Sequence, residues 1–270
     1  IVKPTDYFNT VTYAGNGSSP RSITGVGFQP DWVWTKNRSA ANSNTVGDSV
    51  RGTGKTIFTD STSAELTNNG YGYHSSFDAD GFAVTGDTVS AGGDNVNKSG
   101  NNYVSWNWLG ANGTASNTDG SITSTVSANT TAGFSIVSYT GTGANATIGH
   151  GLGSVPAWII TKNRDATQPW RIYHKALGAT FGMILNDTSV KDDDNTAWND
   201  TEPTSSVFSV GSSANTNNGS DNFIAYCFAE KKGYSKFGSY EGNGNANGAF
   251  IHTGFKPAWV LLKISSGTTG

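Results

Sequence analysis

The chain has 270 residues, enough for two ordinary domains, with 14% charged residues and a formal net charge of −3. This charge excludes the strong electrostatic attraction on which non-specific nucleic-acid binding depends, so we expect no nucleic-acid partner. The 35 glycines, with many Asn, Ser and Thr residues, disfavour helices, while 8 Trp, 10 Tyr and 13 Phe argue against a disordered chain.

The single cysteine, Cys227, has no partner for an intramolecular disulfide, which is typical of a protein that folds in a reducing cytoplasm. No apolar run reaches the length of a membrane span and the first residues do not form a charged-then-apolar leader, so we expect no membrane insertion. The missing initiator Met indicates a fragment or a processed chain. This composition fits a virion component that folds in the host cytoplasm and acts outside it, and a cell-surface protein that has lost its leader fits nearly as well.

Short apolar runs that alternate with polar residues predict half-buried strands. In chain order they lie at residues 31–36, 103–108, 157–162, 223–228 and 258–263. In the first run, the period of two puts Trp32 and Trp34 on one face of the strand and Val33 on the other. In the fourth run, Tyr226 and Cys227 are expected on opposite faces in the same way.

A Tyr-x-Gly-x-Gly motif occurs three times and predicts an internal repeat. Its three tyrosines are Tyr13, Tyr139 and Tyr240. A proline, a tryptophan and a lysine follow each tyrosine at identical spacings: Pro30, Trp32 and Lys36; Pro156, Trp158 and Lys162; Pro257, Trp259 and Lys263. Residues 102–108 and 222–228 correspond as the last strands of the first two copies. We interpret the motif as a strand end that runs into a glycine turn.

These spacings divide the chain into four parts. They are a first β-sandwich repeat at residues 1–110, a linker or long hairpin at 111–131, a second β-sandwich repeat at 132–232 and the start of a third, incomplete repeat at 233–270. Short strands between turn signals predict an all-β fold of tandem antiparallel, jelly-roll-like sandwiches. A β-propeller is the alternative, but its blades are about half as long as these units.

The third copy lacks a counterpart of residues 102–108, which would leave the apolar surfaces of Phe250, Phe255 and Trp259 without a partner. We therefore expect one of two arrangements. Either the polypeptide continues beyond Gly270 and completes the unit, or the segment packs against an earlier unit or a neighbouring chain, where its free strand edge also finds a partner.

Several strings in the chain resemble a repeat domain family of marine phage tail-fibre and virion structural proteins. They lie at residues 5–11, 13–17, 23–31, 35–38, 48–52, 133–137, 149–153, 225–230 and 233–237. The resemblance covers most of the chain. It implies a virion location, use in a fibre or in receptor binding, and a lectin-like fold, and it carries no catalytic residues.

Two acidic clusters are weak calcium candidates, because Ca²⁺ takes clustered oxygen ligands. They are Asp78 with Asp80 and Asp192 with Asp194. Neither follows a complete calcium-loop pattern, so a hairpin tip and a solvated acidic loop are the simpler interpretations, and we expect no cofactor. Surface or turn positions are predicted for the four histidines, which show no metal-ligand spacing: His74, His150, His174 and His252.

Glycan contact is predicted for Trp170 and Trp198, because a tryptophan in a polar loop offers a flat face to a sugar, although it packs inward equally well. An anion or sialic-acid site is the functional interpretation of Lys36 and Lys162. The simpler one is a strand-end lysine with its stem on aromatic surface and its ammonium in water. No strand carries the paired carboxylates of a glycan hydrolase and no nucleophile motif occurs, so we predict no catalytic residue and no enzyme.

The leading hypothesis is a non-enzymatic virion structural protein. It would be a fibre, decoration or adhesion module of a phage that binds other virion proteins, forms a homo-oligomer and contacts host-surface glycans. The alternative is a glycan-binding module of a secreted or cell-surface bacterial protein, followed by a glycan hydrolase. The same sandwich serves all three, since function lies in its loops.

Overall fold

The structure, a computed structural model, describes residue 1, residues 3–86 and residues 95–267. These residues are 37% strand and 3% helix, which confirms the predicted all-β sandwich class. The helices are a 3-10 turn at Pro4–Asp6 and α1 at Asn195–Trp198. The strands are β1 Phe8–Ala14, β2 Arg21–Thr24, β3 Trp32–Asn37, β4 Thr45–Asp48, β5 Lys55–Phe58, β6 Leu66–Thr67, β7 Tyr73–Asp78, β8 Gly81–Thr85, β9 Asn102–Trp108, β10 Ala115–Asn117, β11 Ser124–Asn129, β12 Phe134–Thr140, β13 Ala146–Gly149, β14 Trp158–Asn163, β15 Arg171–His174, β16 Phe181–Ile184, β17 Asp192–Asp193, β18 Val207–Val210 and β19 Asn222–Phe228.

The described strands pair antiparallel in four sheets, which we number I to IV. Sheet I has the order β1-β9-β3-β4-β5-β6, and sheet II has the order β10-β11-β12-β19-β14-β15-β16-β17. Sheet III is β2-β8-β7, and sheet IV is β13-β18. Residues 111–131, predicted as a linker or long hairpin, contain β10 and β11, which pair with each other and extend the edge of sheet II.

Four of the five predicted strands are confirmed as β3, β9, β14 and β19, within one residue of the expected bounds. The fifth, at residues 258–263, is wrong, because that segment forms no strand. The predicted division into repeat units stays a prediction. The predicted units include residues 2, 87–94 and 268–270, the last of which is Gly270, and these residues lie outside the described part of the chain.

The central strands of sheets I and II bury both faces. On one face of β3, Trp32 packs in a cluster with Phe228 of sheet II, so the two large sheets lie face to face. On the other face of β3, Val33 packs with Phe82 of sheet III. Cys227 lies on the far side of sheet II, in the cluster shared with sheet IV. The layers therefore follow the order III, I, II, IV, and the two predicted units share their central interior.

We call the interior between sheets I and II the central aromatic core. Its buried side chains are Trp32, Trp34, Val46, Ile57, Trp108, Phe134, Ile136, Trp158, Ile160, Trp170, Ile172, Met183, Ile224, Tyr226 and Phe228. Large aromatic rings that pack at offset or edge angles supply much of the buried apolar area that stabilises such a core.

The last strand of each predicted unit lies between that unit's first strand and its tryptophan strand. In sheet I, Tyr103 of β9 is opposite Tyr13 on one side and Asn37 on the other. In sheet II, Phe223 of β19 is opposite Tyr139 and Asn163. The two sheets therefore share both strand order and register at their centres.

In the first two copies of the Tyr-x-Gly-x-Gly motif, close backbone approach explains the first glycine. A Cβ on Gly15 would lie 2.0 Å from the Lys98 carbonyl oxygen, and one on Gly141 would lie 2.2 Å from the Asn218 carbonyl oxygen. In both copies the segment that leads into the last strand crosses directly over this glycine, so no side chain fits there.

We expect Gly141→Ala to lower the free energy of unfolding by roughly 1–3 kcal/mol, because the added methyl forces the Asn218 backbone away. Gly113→Ala is the matched control, since nothing lies within 4 Å of its Cβ position. Urea denaturation of both variants checks this. Equal stability of the two variants would contradict the close approach.

Candidate functional site

The two tryptophans predicted to contact glycans are buried, each with 1% of its surface exposed. The indole N–H of Trp170 donates to the Phe58 carbonyl oxygen at 2.8 Å, which ties sheet II to sheet I. Trp198 packs edge-on against Tyr173 in the interior between sheets II and IV. Neither ring offers a face to a sugar, so this prediction is corrected. The polar residues around each tryptophan in the sequence gave no indication that its ring packs inward.

Of the two lysines predicted for an anion site, Lys162 is fully buried. Its ammonium donates to three carbonyl oxygens, those of Thr62 at 3.1 Å, Asn163 at 3.0 Å and Gln168 at 2.8 Å. Burial lowers the pKa of Lys162 to about 8. Lys36 donates to a neighbouring loop carbonyl, that of Asn42, at 2.7 Å. Both ammonium groups are thus occupied by backbone, and the structure does not bring them together into an anion site.

The carboxylates predicted as weak calcium candidates also have protein partners. Asp192 and Asp194 accept from the guanidinium of the buried Arg171, with N–O distances of 2.9 and 3.0 Å. Asp80 accepts from two backbone amides of a turn, and Asp78 accepts from a serine hydroxyl at 3.1 Å. Within the described ranges, no three His, Cys, Asp or Glu side chains are grouped so that they could hold a metal ion.

Two of the four histidines, His74 and His150, are buried. For His74, which lies within β7, this corrects the predicted surface or turn position. His74 of β7 is 1% exposed, and its Nε2 lies 3.0 Å from the Thr35 hydroxyl. Burial, with a smaller effect of the Arg51 charge, lowers the pKa of His74 to about 3. His150 is fully buried in a turn, where its Nδ1 accepts from the Leu152 amide at 3.2 Å.

Four charged side chains and a tyrosine, which the sequence did not predict to lie together, join the two large sheets. Arg51, from the turn after β4, forms ion pairs with Asp48 and with Glu65, the latter at 3.1 Å. Glu65 also accepts from Arg164, which directly follows β14 of sheet II, at 2.9 Å. The Tyr226 hydroxyl donates to Asp48 at 2.7 Å. We call these five residues the inter-sheet ion cluster.

The protonation of this cluster follows from its burial. Burial alone would raise the pKa of the Glu65 carboxyl, but Arg164 and Arg51 hold it below its usual value. Burial likewise opposes charge on Arg51, yet the neighbouring Asp48 raises its pKa above the ordinary range. Removing one member would leave an uncompensated buried charge. These residues therefore link the sheets as a structural joint.

Most of the exposed large hydrophobic side chains among the described residues lie near the C-terminus. Seven of the ten exposed large hydrophobic side chains are Tyr240, Phe250, Ile251, Val260, Leu261, Leu262 and Ile264. We call them the C-terminal surface. Phe250 is 90% exposed and Leu262 is 67% exposed. Exposed apolar surface of this kind is typical of a site for another polypeptide.

The C-terminal surface is anchored on the open side of the central aromatic core. The Trp259 ring contacts Trp108 edge-on at 5.5 Å and lies 6.3 Å from Trp34 and from Trp158. The Lys263 ammonium donates to the Asp187 carbonyl oxygen at 2.9 Å. Trp259 therefore packs against the earlier units, which was one of the two expected arrangements, whereas Phe250 remains exposed.

A surface cleft of about 360 Å³ lies beside this anchor. Trp34, Leu185 and Leu261 form its apolar wall, and Asp60 and Asp187 lie at its polar side. The sequence predicted that Trp259 needs cover, but it gave no signal for this cleft, because its walls come from segments that lie far apart in the chain.

Lowering the pH from 6.5 towards 3 should destabilise the fold through His74. In this window the unfolded chain binds a proton on the imidazole that the folded chain does not, so the free energy of unfolding falls by at most about 1.4 kcal/mol per pH unit. We expect His74→Gln to reduce this slope. Urea denaturation at several pH values measures it. His252→Gln, at an exposed histidine, is the control and should keep the parent protein's dependence of unfolding free energy on pH. An unchanged dependence in His74→Gln would contradict a buried neutral imidazole.

Comparison with known proteins places the chain in one family. The search of curated proteins and the search of solved structures each returned no significant match. A family described as "Domain of unknown function (DUF7483)" matches residues 3–270. Because the match spans nearly the whole sequence, the chain belongs to the DUF7483 family.

Proposed function

We propose that this chain is a non-enzymatic structural module of a phage particle, a fibre, decoration or adhesion component that binds other virion proteins through its C-terminal surface. The observation that carries the proposal is the concentration of exposed apolar side chains at residues 240–264, beside a rigid aromatic interior. A surface of this kind gains free energy when another polypeptide covers it. The location of the chain in a phage particle is inferred from its resemblance to phage tail-fibre and virion structural proteins.

The partners of the polar side chains support a structural role. Lys162 and Trp170 hold sheet I against sheet II, and Arg171 is occupied by two carboxylates. The inter-sheet ion cluster is buried between the same sheets. Buried ion pairs are weak contributors to stability but fix one arrangement of the elements that they join, which we infer is their use here.

Contact with host-surface glycans stays a prediction without assigned residues, since Trp170 and Trp198 are buried. Homo-oligomerisation also stays a prediction.

Among the described residues, no helix has the length and apolar character that a membrane crossing requires.

We expect the chain to be found in purified phage particles, at a constant ratio to the other structural proteins, when particles from a density gradient are measured by mass spectrometry. Val260→Ser should reduce this ratio, because it makes the C-terminal surface more polar. Val155→Ser is the matched control, since Val155 is also exposed, at 54% against 62% for Val260, but lies elsewhere.

The chain's absence from particles, together with its recovery on a bacterial surface, would contradict the proposal and favour the glycan-binding alternative. Equal incorporation of both serine variants would contradict the role of the C-terminal surface.

A further inference from the structure

The lysine that recurs at a fixed spacing after the motif tyrosine makes different contacts in different copies. Lys36, Lys162 and Lys263 occupy this position. Lys36 donates to the carbonyl oxygen of Asn42, in its own predicted unit. The other two lysines each reach a carbonyl oxygen of the predicted unit that precedes theirs in the chain. They therefore lie at contacts between units.

The acceptors of these two lysines belong to equivalent loops. The Lys162 ammonium donates to the Thr62 carbonyl oxygen at 3.1 Å, and the Lys263 ammonium donates to the Asp187 carbonyl oxygen at 2.9 Å. Thr62 lies four residues after the end of β5, and Asp187 lies three residues after the end of β16. β5 and β16 are equivalent strands, because the same number of residues separates them as separates the first two motif tyrosines. We call the segments that follow them the acceptor loops.

The two acceptor loops share an internal hydrogen bond. In the loop after β5, the Asp60 side chain accepts from the Asn44 amide at 3.1 Å. In the loop after β16, the Asn186 side chain accepts from the Trp170 amide at 2.8 Å. Asn44 and Trp170 directly precede the equivalent strands β4 and β15. The two lysines therefore meet loops that are built in the same way.

A main-chain hydrogen bond accompanies each lysine contact. The Glu65 amide donates to the Arg164 carbonyl oxygen at 2.8 Å, and the Lys191 amide donates to the Ser265 carbonyl oxygen at 3.2 Å. Both donors lie seven residues after the end of their strand, β5 or β16. Both acceptors lie two residues after the recurring lysine. The two contacts thus agree in a second hydrogen bond, at equivalent positions on both sides.

Main-chain acceptors explain why the lysine recurs in the sequence while its partners do not. A carbonyl oxygen accepts a hydrogen bond whatever side chain its residue carries, so Thr62 and Asp187 need not be the same residue type. The donor has to reach from its own segment to another unit. A lysine has three N–H donors at the end of a long, flexible stem, which suits this task.

We propose that the recurring lysine is a docking residue, through which the second predicted unit binds the first and residues 259–265 bind the second in the same way. Each contact joins the acceptor loop of one unit to the lysine segment of the next, so it is head-to-tail. Contacts of this type arrange successive units in a row or a ring. The inference goes beyond the proposed function, because it concerns the chain itself and does not depend on a virion location.

Hydrogen exchange of lysine variants of the full chain, followed for single amides by NMR, tests the proposal. The amides of Glu65 and Lys191 report on the two contacts separately. Lys263→Met should speed exchange of the Lys191 amide by about threefold or more, because one hydrogen bond of that contact is lost. It should leave the Glu65 amide unchanged. Lys162→Met should speed exchange of the Glu65 amide and leave the Lys191 amide unchanged.

Lys36→Met is the matched control, because the Lys36 ammonium bonds within its own unit. Both reporter amides should keep the parent rate in this variant. Lys162 is fully buried and donates to three carbonyl oxygens, whereas Lys263 is partly exposed. If Lys162→Met does not fold, the comparison of Lys263→Met with Lys36→Met decides the question.

An unchanged Lys191 amide in Lys263→Met would overturn the proposal. Equal acceleration of both reporter amides by Lys263→Met would overturn it as well, since the lysine would then stabilise the whole fold instead of one contact. Acceleration of either amide by Lys36→Met would have the same meaning. These rates are measured on the isolated chain, so they are independent of the particle composition that tests the proposed function.

Discussion

The contact of Trp32 with the aromatic rings of both large sheets is the interaction on which the rest of the structure depends. Its ring centroid lies 4.3 Å from that of Trp108 in its own sheet, and 4.5 Å from Tyr226 and 5.7 Å from Phe134 in the opposite sheet. Because one side chain bridges both sheets, the two predicted units share an interior. Loss of this interior would expose an apolar face of each unit.

The polar contacts follow from that arrangement. Where the two sheets pack through aromatic side chains, buried polar groups at the edge of the interface need hydrogen-bond partners. Arg164 with Glu65, the Lys162 ammonium and the Trp170 indole supply those partners across the joint. The C-terminal segment extends the same core through Trp259, while seven of its large apolar side chains are exposed. The inter-sheet ion cluster and the C-terminal segment thus both adjoin the central aromatic core.

The sequence was sufficient for four strands and their faces, because large apolar side chains recur there with a period of two, whereas the same alternation at residues 258–263 forms no strand. Trp32 and Val33 lie on opposite faces as expected, and so do Tyr226 and Cys227. The sequence did not predict which elements pack against each other, because alternation shows that one face of a strand is apolar but not what covers that face. For that reason Trp170 and Lys162 were interpreted as ligand contacts. Likewise, no local pattern connects Glu65 to Arg164, which lies 99 residues away.

Native-state hydrogen exchange of Trp32→Ala tests the shared interior most directly. The substitution removes a ring that packs against both sheets and should cost about 3–5 kcal/mol. If the sheets share one interior, slowly exchanging amides of β12, β14 and β19 in sheet II should lose as much protection as those of β3 and β9 in sheet I. Loss of protection confined to sheet I, with sheet II unchanged, would contradict the account.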